Sequence, residues 1–497
     1  MNLANNSSQK PINFLTWGMT AIFLVSVTLR FWQLGRFNTL VFDEVYYAKF
    51  ANNYLTQTEF FNAHPPLSQY LIAISIWVGS HLPFGQEITN NLTGSTLAPW
   101  TYRWLNALTG SFIPVVVGAI AYQLTRRSSY ALISSLLIAA DGLFLVESRY
   151  ALNNIYLVIF GLLGHLCLFF SLKTRKHKRW LWLIISGILC GCSVAIKWNG
   201  LGFILGMFLV FLVAAIVEIV NFFEIRKNPI PKNNLARWRS PLSKLSKFGL
   251  AKILITLGLI PGLCYSLIWI PHLILNPEFD FVEMQEQIMG YHQSIEDGKD
   301  VHPYCSEWYS WLLMVRPIVY FYQNALKDPD PSLPPVAAGS DRVIFDIHAM
   351  GNPFLWWFST LAIFLLLLIL ISRLWIFFKR ELSPKKKYSI LPQFPANPEM
   401  WLLVYLVLNW IANFLPWAKV SRCIFLYHYM SSYVFAILAL AWWLDRWFRS
   451  RKTHLKILGI ATIFLILLAL NFWLPVYLGL PLSPLGWKIR MWFSSWF

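Results

Sequence analysis

Asp43 and Glu44 stand side by side just beyond the first long apolar run, after Thr39-Leu40-Val41-Phe42. Adjacent carboxylates near a membrane surface are costly to keep charged where the local dielectric is low. They can serve as negative charge at a helix N-terminus, where it favours the macrodipole, or as proton acceptors. The outer loop that holds them offers few other candidates for a general base, and the pair is read in that role. His64 follows in His64-Pro65-Pro66-Leu67. The prolines stiffen the approach to the next helix and account for the motif structurally, while the His adds a titratable group at the same membrane face.

Six cations fall at the outer ends of apolar runs: Arg103, Arg149, Lys197, Arg316, Lys419 and Arg422. The charge pattern of membrane proteins disfavours them there, and any one alone could snorkel to the headgroups. As a set they point to a shared anionic ligand at the outer membrane surface. A lipid phosphate is the natural choice, because Arg and Lys grip phosphate oxygens through charge-assisted hydrogen bonds. His302, His428, Tyr304, Tyr427 and Tyr429 could add donors. No closely spaced His/Asp ligand set of the hydrolase type is visible, so no metal site is assigned. The cations can replace a metal at the phosphate; no cofactor is expected to be required, and a divalent ion is not favoured.

The elements that must position these groups are membrane helices. The 497 residues are 57% hydrophobic and 13% charged, with mean hydropathy +0.51, which sets the chain apart from soluble proteins. Apolar runs near residues 14–32, 104–124, 129–147, 154–172, 180–197, 200–220, 251–271, 353–377, 399–416, 423–444 and 456–475 give about eleven spans of the length a bilayer needs. The net charge of +18 would suggest nucleic acid in a soluble protein. Here it collects in alternate connections: Arg126-Arg127, Lys173 to Arg179, Arg226 to Lys247, Lys379 to Lys387 and Arg446 to Lys452. That pattern places these connections and the N-terminus in the cytoplasm, and the C-terminus and the candidate site on the outer face of the plasma membrane. The first run lacks a clear small-residue cleavage site and is read as a retained helix.

Two outer segments are large, 33–103 and 272–352. Val45 to Leu55, Leu67 to Val78 and Phe279 to Tyr291 read as helices lying in the interface or re-entering it. Twelve of the 23 acids lie between Glu278 and Asp346, which marks polar loop material rather than orientation. The chain divides into an N-terminal catalytic part, 1–271, an outer loop, 272–352, and a C-terminal four-helix part, 353–497. Four of the six cysteines fall inside apolar runs as small hydrophobes. Cys305 and Cys423 lie outside or near an edge; a bridge between them is open but not favoured, and no disulfide or zinc framework is visible.

Phe42-Asp43-Glu44-Val45 with His64-Pro65-Pro66-Leu67 resembles the first outer loop of the protein O-mannosyltransferases. The resemblance runs on through Tyr102-Arg103-Trp104 with Gly110, Ser148-Arg149-Tyr150, and Gly191 to Gly200 around Lys197-Trp198. It continues with His302-Pro303-Tyr304 followed by Trp308, Trp311, Arg316 and Pro317, then Gly351-Asn352-Pro353 with Trp356-Trp357, and Leu415-Pro416-Trp417 with Tyr427-His428-Tyr429. The motifs keep their order over some 400 residues. The resemblance implies an all-α, polytopic GT-C glycosyltransferase that moves mannose from a polyprenyl- or dolichyl-phosphate carrier to Ser or Thr hydroxyls of secreted proteins, with inversion. It places the family's acidic pair on Asp43 and Glu44 and its Arg on Arg103. Loop 272–352 is too short for the soluble domain of eukaryotic members, so the bacterial form is the better match. Where many relatives carry an Asp after the Ser-Arg segment, this chain reads Ala151-Leu152-Asn153-Asn154, and Asn caps a helix about as well as Asp.

The expected mechanism has Asp43 as base toward the acceptor hydroxyl and Glu44 orienting the acceptor backbone or Asp43 itself. Arg103, Lys197, Arg316 and Arg422 would stabilise the departing phosphate, with His64, Arg149, Trp198, His302, Tyr304, Tyr427 and His428 lining the donor site. Another polyprenyl-phosphate sugar, or a glycan or lipid acceptor, would leave this arrangement unchanged. A transporter or flippase would be expected to show inverted repeats and midplane charges; the chain has no repeat, and Asp141 is the main charge inside a span. A non-catalytic membrane subunit fits poorly with the acidic pair and the surplus of outer cations.

Overall fold

The computed structural model describes residues 10–227, 242–298, 300–325, 332–336, 342–381 and 398–497. The basic residues Lys232, Arg237, Arg239 and Lys385 to Lys387 lie outside the described residues.

The long apolar runs become long helices. They are α1 (Lys10–Phe31), α4 (Pro99–Thr125), α7 (Asn154–Ser171), α8 (Lys176–Val194), α9 (Leu201–Lys227), α10 (Leu250–Leu275), α12 (Pro353–Glu381), α13 (Pro398–Phe414), α14 (Met430–Phe448) and α15 (Thr453–Leu478). Among the described residues eight helices are long and apolar enough to cross a membrane, and nine if a bent pair counts as one. The two others, α8 and α14, are 19 residues each and occupy segments where the sequence places spans; their charged and polar residues make them less apolar.

The expected span at 129–147 is not one helix. It breaks into α5 (Ser128–Ala139) and α6 (Gly142–Arg149), which meet at 60°. Asp141 is the reason: its carboxylate caps α6 by accepting from Phe144 N (3.0 Å), and also accepts from Asn352 N (3.2 Å) and the Tyr433 hydroxyl (3.1 Å). The midspan acid is thus a helix cap.

The first outer loop holds α2 (Glu44–Thr56) and α3 (Leu67–Ser80), and the second holds α11 (Phe281–Ser294), close to where helical spacing puts them. The second loop adds a feature the helical reading lacks, an antiparallel hairpin of β1 (Ile318–Ala325) and β2 (Val343–Ala349) with a bulge between Val319 and Phe321. β-branched and aromatic residues in IVYFYQNA and VIFDIHA suit strands. Cys305 and Cys423 form a disulfide, Cα atoms 5.1 Å apart, which corrects the expectation of unpaired thiols. It ties the second loop to the segment before α14.

Candidate active site

Phe42 enters the site with φ of 53°. An aromatic residue in the left-handed region is strained and must be held there by its surroundings. Its ring lies flat on Tyr320 of β1, centroids 4.1 Å apart and planes 8° from parallel. The turn hands the chain to α2 at Asp43, so Asp43 and Glu44 leave the helix start in different directions.

Glu44 points inward and is fully buried. Its carboxylate accepts from Val41 N (2.8 Å), Ala151 N (2.8 Å), and Arg103 Nε and Nη2 (2.9 and 2.7 Å). Arg103, also fully buried, gives its other bonds to the carbonyls of Leu34, Phe37 and Thr39. Each donor of Arg103 is therefore spent on the loop that carries Asp43. The expected phosphate contact of Arg103 is replaced by this structural role, and Glu44 has no oxygen left for an acceptor backbone; it orients the Asp43 turn.

Asp43 keeps partial exposure although protein surrounds it, as a group at the bottom of a recess does. Burial pushes its carboxyl up to about 6, against the opposing pull of the Lys197 charge and a hydrogen bond from Tyr47. A carboxylate in that range is ionised at neutral pH yet basic enough to take a proton.

Beside it opens a cavity of about 710 Å³. Its polar end carries His64, Lys197, Trp198, His292, Arg422 and His428, while residues such as Leu205, Phe208, Leu254 and Leu257 make the rest apolar. Part of that apolar wall comes from a π-helical turn, Ile255–Leu259, inside α10. Asp43 is not itself on the cavity wall. Lys197 belongs to both places: it lines the cavity, its charge acts on Asp43, and its Nζ lies 5.2 Å from the Tyr427 ring centroid and 5.9 Å from that of Tyr47. Burial and the neighbouring cations hold His64 and His428 well below the usual imidazole range, and His292 at about 4, so all three rings are neutral at pH 7. The His64 and His292 rings sit 5.3 Å apart.

The structure thus brings together Asp43, Lys197, Trp198, His64, Arg422, Tyr427 and His428. It places the other expected residues elsewhere. Arg149 donates to the carbonyls of Leu29, Arg30 and Trp32 at the end of α1. Arg316 donates to the carbonyls of Pro303, Ser495 and Phe497 and lies over the Tyr304 ring. His302 accepts from Tyr304 N and packs on Phe425. Lys419 is exposed, and Tyr429 takes a bond from Trp410 in the core. None of these lines the cavity. For both arginines the reason is the same: backbone carbonyls left free by secondary structure, at the end of α1 for Arg149 and in loop segments for Arg316, need partners where water is scarce.

The sequence reading passes over Tyr47, Glu147, Tyr320 and His292, and takes Asn154 only for a helix cap. Tyr47 lies one helical turn from Asp43 and could have been found by spacing. Glu147 is an acid inside an apolar run, a signal in itself. His292 and Tyr320 sit in loop material with no comparable mark.

The fold and site are those of a polytopic helical membrane protein that sets a recessed carboxylate and two cations, Lys197 and Arg422, beside an apolar cavity. One chain of the S. cerevisiae protein O-mannosyltransferase Pmt1-Pmt2 complex bound to the sugar donor superposes with a TM-score of 0.74, covering 97% of this chain and 93% of that one at 15% identity. Residues 20–275 match the dolichyl-phosphate-mannose-protein mannosyltransferase family and residues 278–496 the C-terminal four-transmembrane region of protein O-mannosyltransferases. The chain belongs to the dolichyl-phosphate-mannose-protein mannosyltransferase family. It is 25% identical to a polyprenol-phosphate-mannose–protein mannosyltransferase of Mycolicibacterium smegmatis over 97% of this chain and 93% of the relative. It is 30% identical to dolichyl-phosphate-mannose–protein mannosyltransferase 4 of Candida albicans over 37% of this chain and 25% of that one.

Proposed function

We propose that this protein transfers mannose from a polyprenyl-phosphate carrier to Ser or Thr hydroxyls of translocated proteins. The carrier chain lies along the apolar part of the cavity and its phosphate meets Lys197 and Arg422. The acceptor oxygen attacks the anomeric carbon from the face opposite the phosphate, so configuration inverts. Its proton goes to Asp43. The bond from anomeric carbon to phosphate oxygen breaks, and its electron pair leaves on the lipid phosphate, whose added charge the two cations stabilise. Phosphate is a good leaving group, so no strong general acid is needed, and Lys197 and Arg422 stand in for a divalent ion.

The observation that carries this reading is Lys197, which joins the cavity to the base. The site is assigned to the outer face of the plasma membrane, with a cytoplasmic N-terminus. The alternation of basic connections supports that orientation, as does the Cys305–Cys423 bridge, since disulfides persist in oxidising compartments.

The test uses membranes containing the protein, radiolabelled polyprenyl-phosphate-mannose and a Ser/Thr-rich peptide. Label is expected on the peptide with wild type and not with Asp43→Asn. Transfer of a different sugar but not mannose would overturn the donor assignment, and full transfer by a normally inserted Asp43→Asn would overturn the base.

A further inference from the structure

Glu147 is a carboxylate at this site to which the proposed reaction gives no task. It sits in α6 with no exposed surface, where an ionisable group is expensive to keep. Its oxygens accept from the Tyr320 hydroxyl and, at 3.2 Å each, from Asn154 Nδ2. Asn154 Oδ1 in turn accepts from Lys197 Nζ at 3.2 Å.

The direction of this chain is fixed by chemistry. An ammonium only donates, so the amide beside it has one workable orientation. Its NH₂ must face Glu147 and its carbonyl must face Lys197. Glu147 thereby anchors, with both oxygens, the side chain that gives Lys197 its acceptor. The second arm runs through Tyr320. Its hydroxyl is committed to Glu147, and its ring is the platform on which the strained Phe42 rests, directly before Asp43.

We infer that Glu147 is a positioning residue that sets both halves of the machinery: the Lys197 ammonium through Asn154, and the Phe42-Asp43 turn through Tyr320. The inference rests on the reaction proposed above. A neutral Gln at 147 keeps one acceptor for Asn154 Nδ2 but removes the second carboxylate oxygen and the negative charge, so Asn154, and Lys197 through it, would be held less firmly.

The test is steady-state kinetics of the full-length protein in membranes, with polyprenyl-phosphate-mannose and peptide varied separately. Glu147→Gln is expected to raise the donor KM and lower kcat by about tenfold each, the scale of one lost charge-assisted hydrogen bond, and to leave the peptide KM unchanged. Glu147→Gln combined with Asn154→Asp returns an acceptor-only group beside Lys197 and is expected to bring the donor KM back toward wild type. A merely structural role would not give that rescue. If Glu147→Gln fails to insert, Tyr320→Phe reads the other arm, with kcat expected to fall at unchanged donor KM. An unchanged donor KM in inserted Glu147→Gln, a double variant no better than the single one, or wild-type kinetics in Tyr320→Phe each overturn the inference. Wild-type membranes that transfer no mannose overturn the proposed reaction and this inference together, whereas active wild type with an indifferent Glu147→Gln overturns the inference alone.

Discussion

Glu44 and Arg103 meet at 2.7 Å with neither side chain exposed. Removing one partner of such a pair strands a buried charge, at about 3–5 kcal/mol. Arg103→Met and Glu44→Gln are therefore expected to lower the thermal unfolding temperature in detergent and reduce the yield of inserted protein. Arg103→Lys should fail as well, because a single ammonium cannot serve Glu44 and three carbonyls at once. An inserted Arg103→Met protein of wild-type stability that had lost only donor binding would return this Arg to the phosphate.

Asp43→Asn keeps the shape of the recess and removes the proton acceptor. The expected loss in kcat is about 10²–10⁴-fold with normal insertion, measured by single-turnover transfer of labelled sugar.

The pH dependence follows from the same group. A base works only when ionised, and burial has raised the Asp43 carboxyl to about 6. Activity should be on its plateau above pH 7, reach half near pH 6 and decline further in acid. An unperturbed carboxyl would give that limb near pH 4, about two units lower. A rate profile flat from pH 7 down to pH 5 would contradict the assignment.

Arg422→Ala should raise the donor KM by about 10–100-fold, the range for a hydrogen bond to a charged group, with little effect on the peptide KM. If the two cations meet the phosphate directly, as proposed, chelation with EDTA is expected to leave the wild-type rate unchanged. A rate that collapses with EDTA and returns with a divalent ion would place a metal in the reaction.

Cys305→Ser should cost about 2–5 kcal/mol of stability, as loss of a native disulfide does. Wild type treated with reductant should show the same downward shift in unfolding temperature, and Cys305→Ser should not respond to it further.

Much of this arrangement can be read from the residues before any coordinates. Apolar runs mark the helices, and Asp43-Glu44 stands out because adjacent acids are rare beside a membrane. What the spacing cannot say is which of two neighbours turns inward, and it is Glu44 that does. The cations show the same limit. All lie at span ends, but only Lys197 and Arg422 reach the cavity, because Arg103, Arg149 and Arg316 are taken by carbonyls whose positions depend on tertiary packing. Glu147 is an acid at the end of an apolar run, and its setting depends on Tyr320, from a hairpin 173 residues further on.

The bridge between Cys305 and Cys423 spans 118 positions, and this sets an order of events during synthesis. The earlier thiol must wait unpaired until the ribosome has delivered α13 and the turn after it. Arg422 and His428 arrive with the later thiol, so the wall of the cavity that they complete is among the last parts of the fold to form.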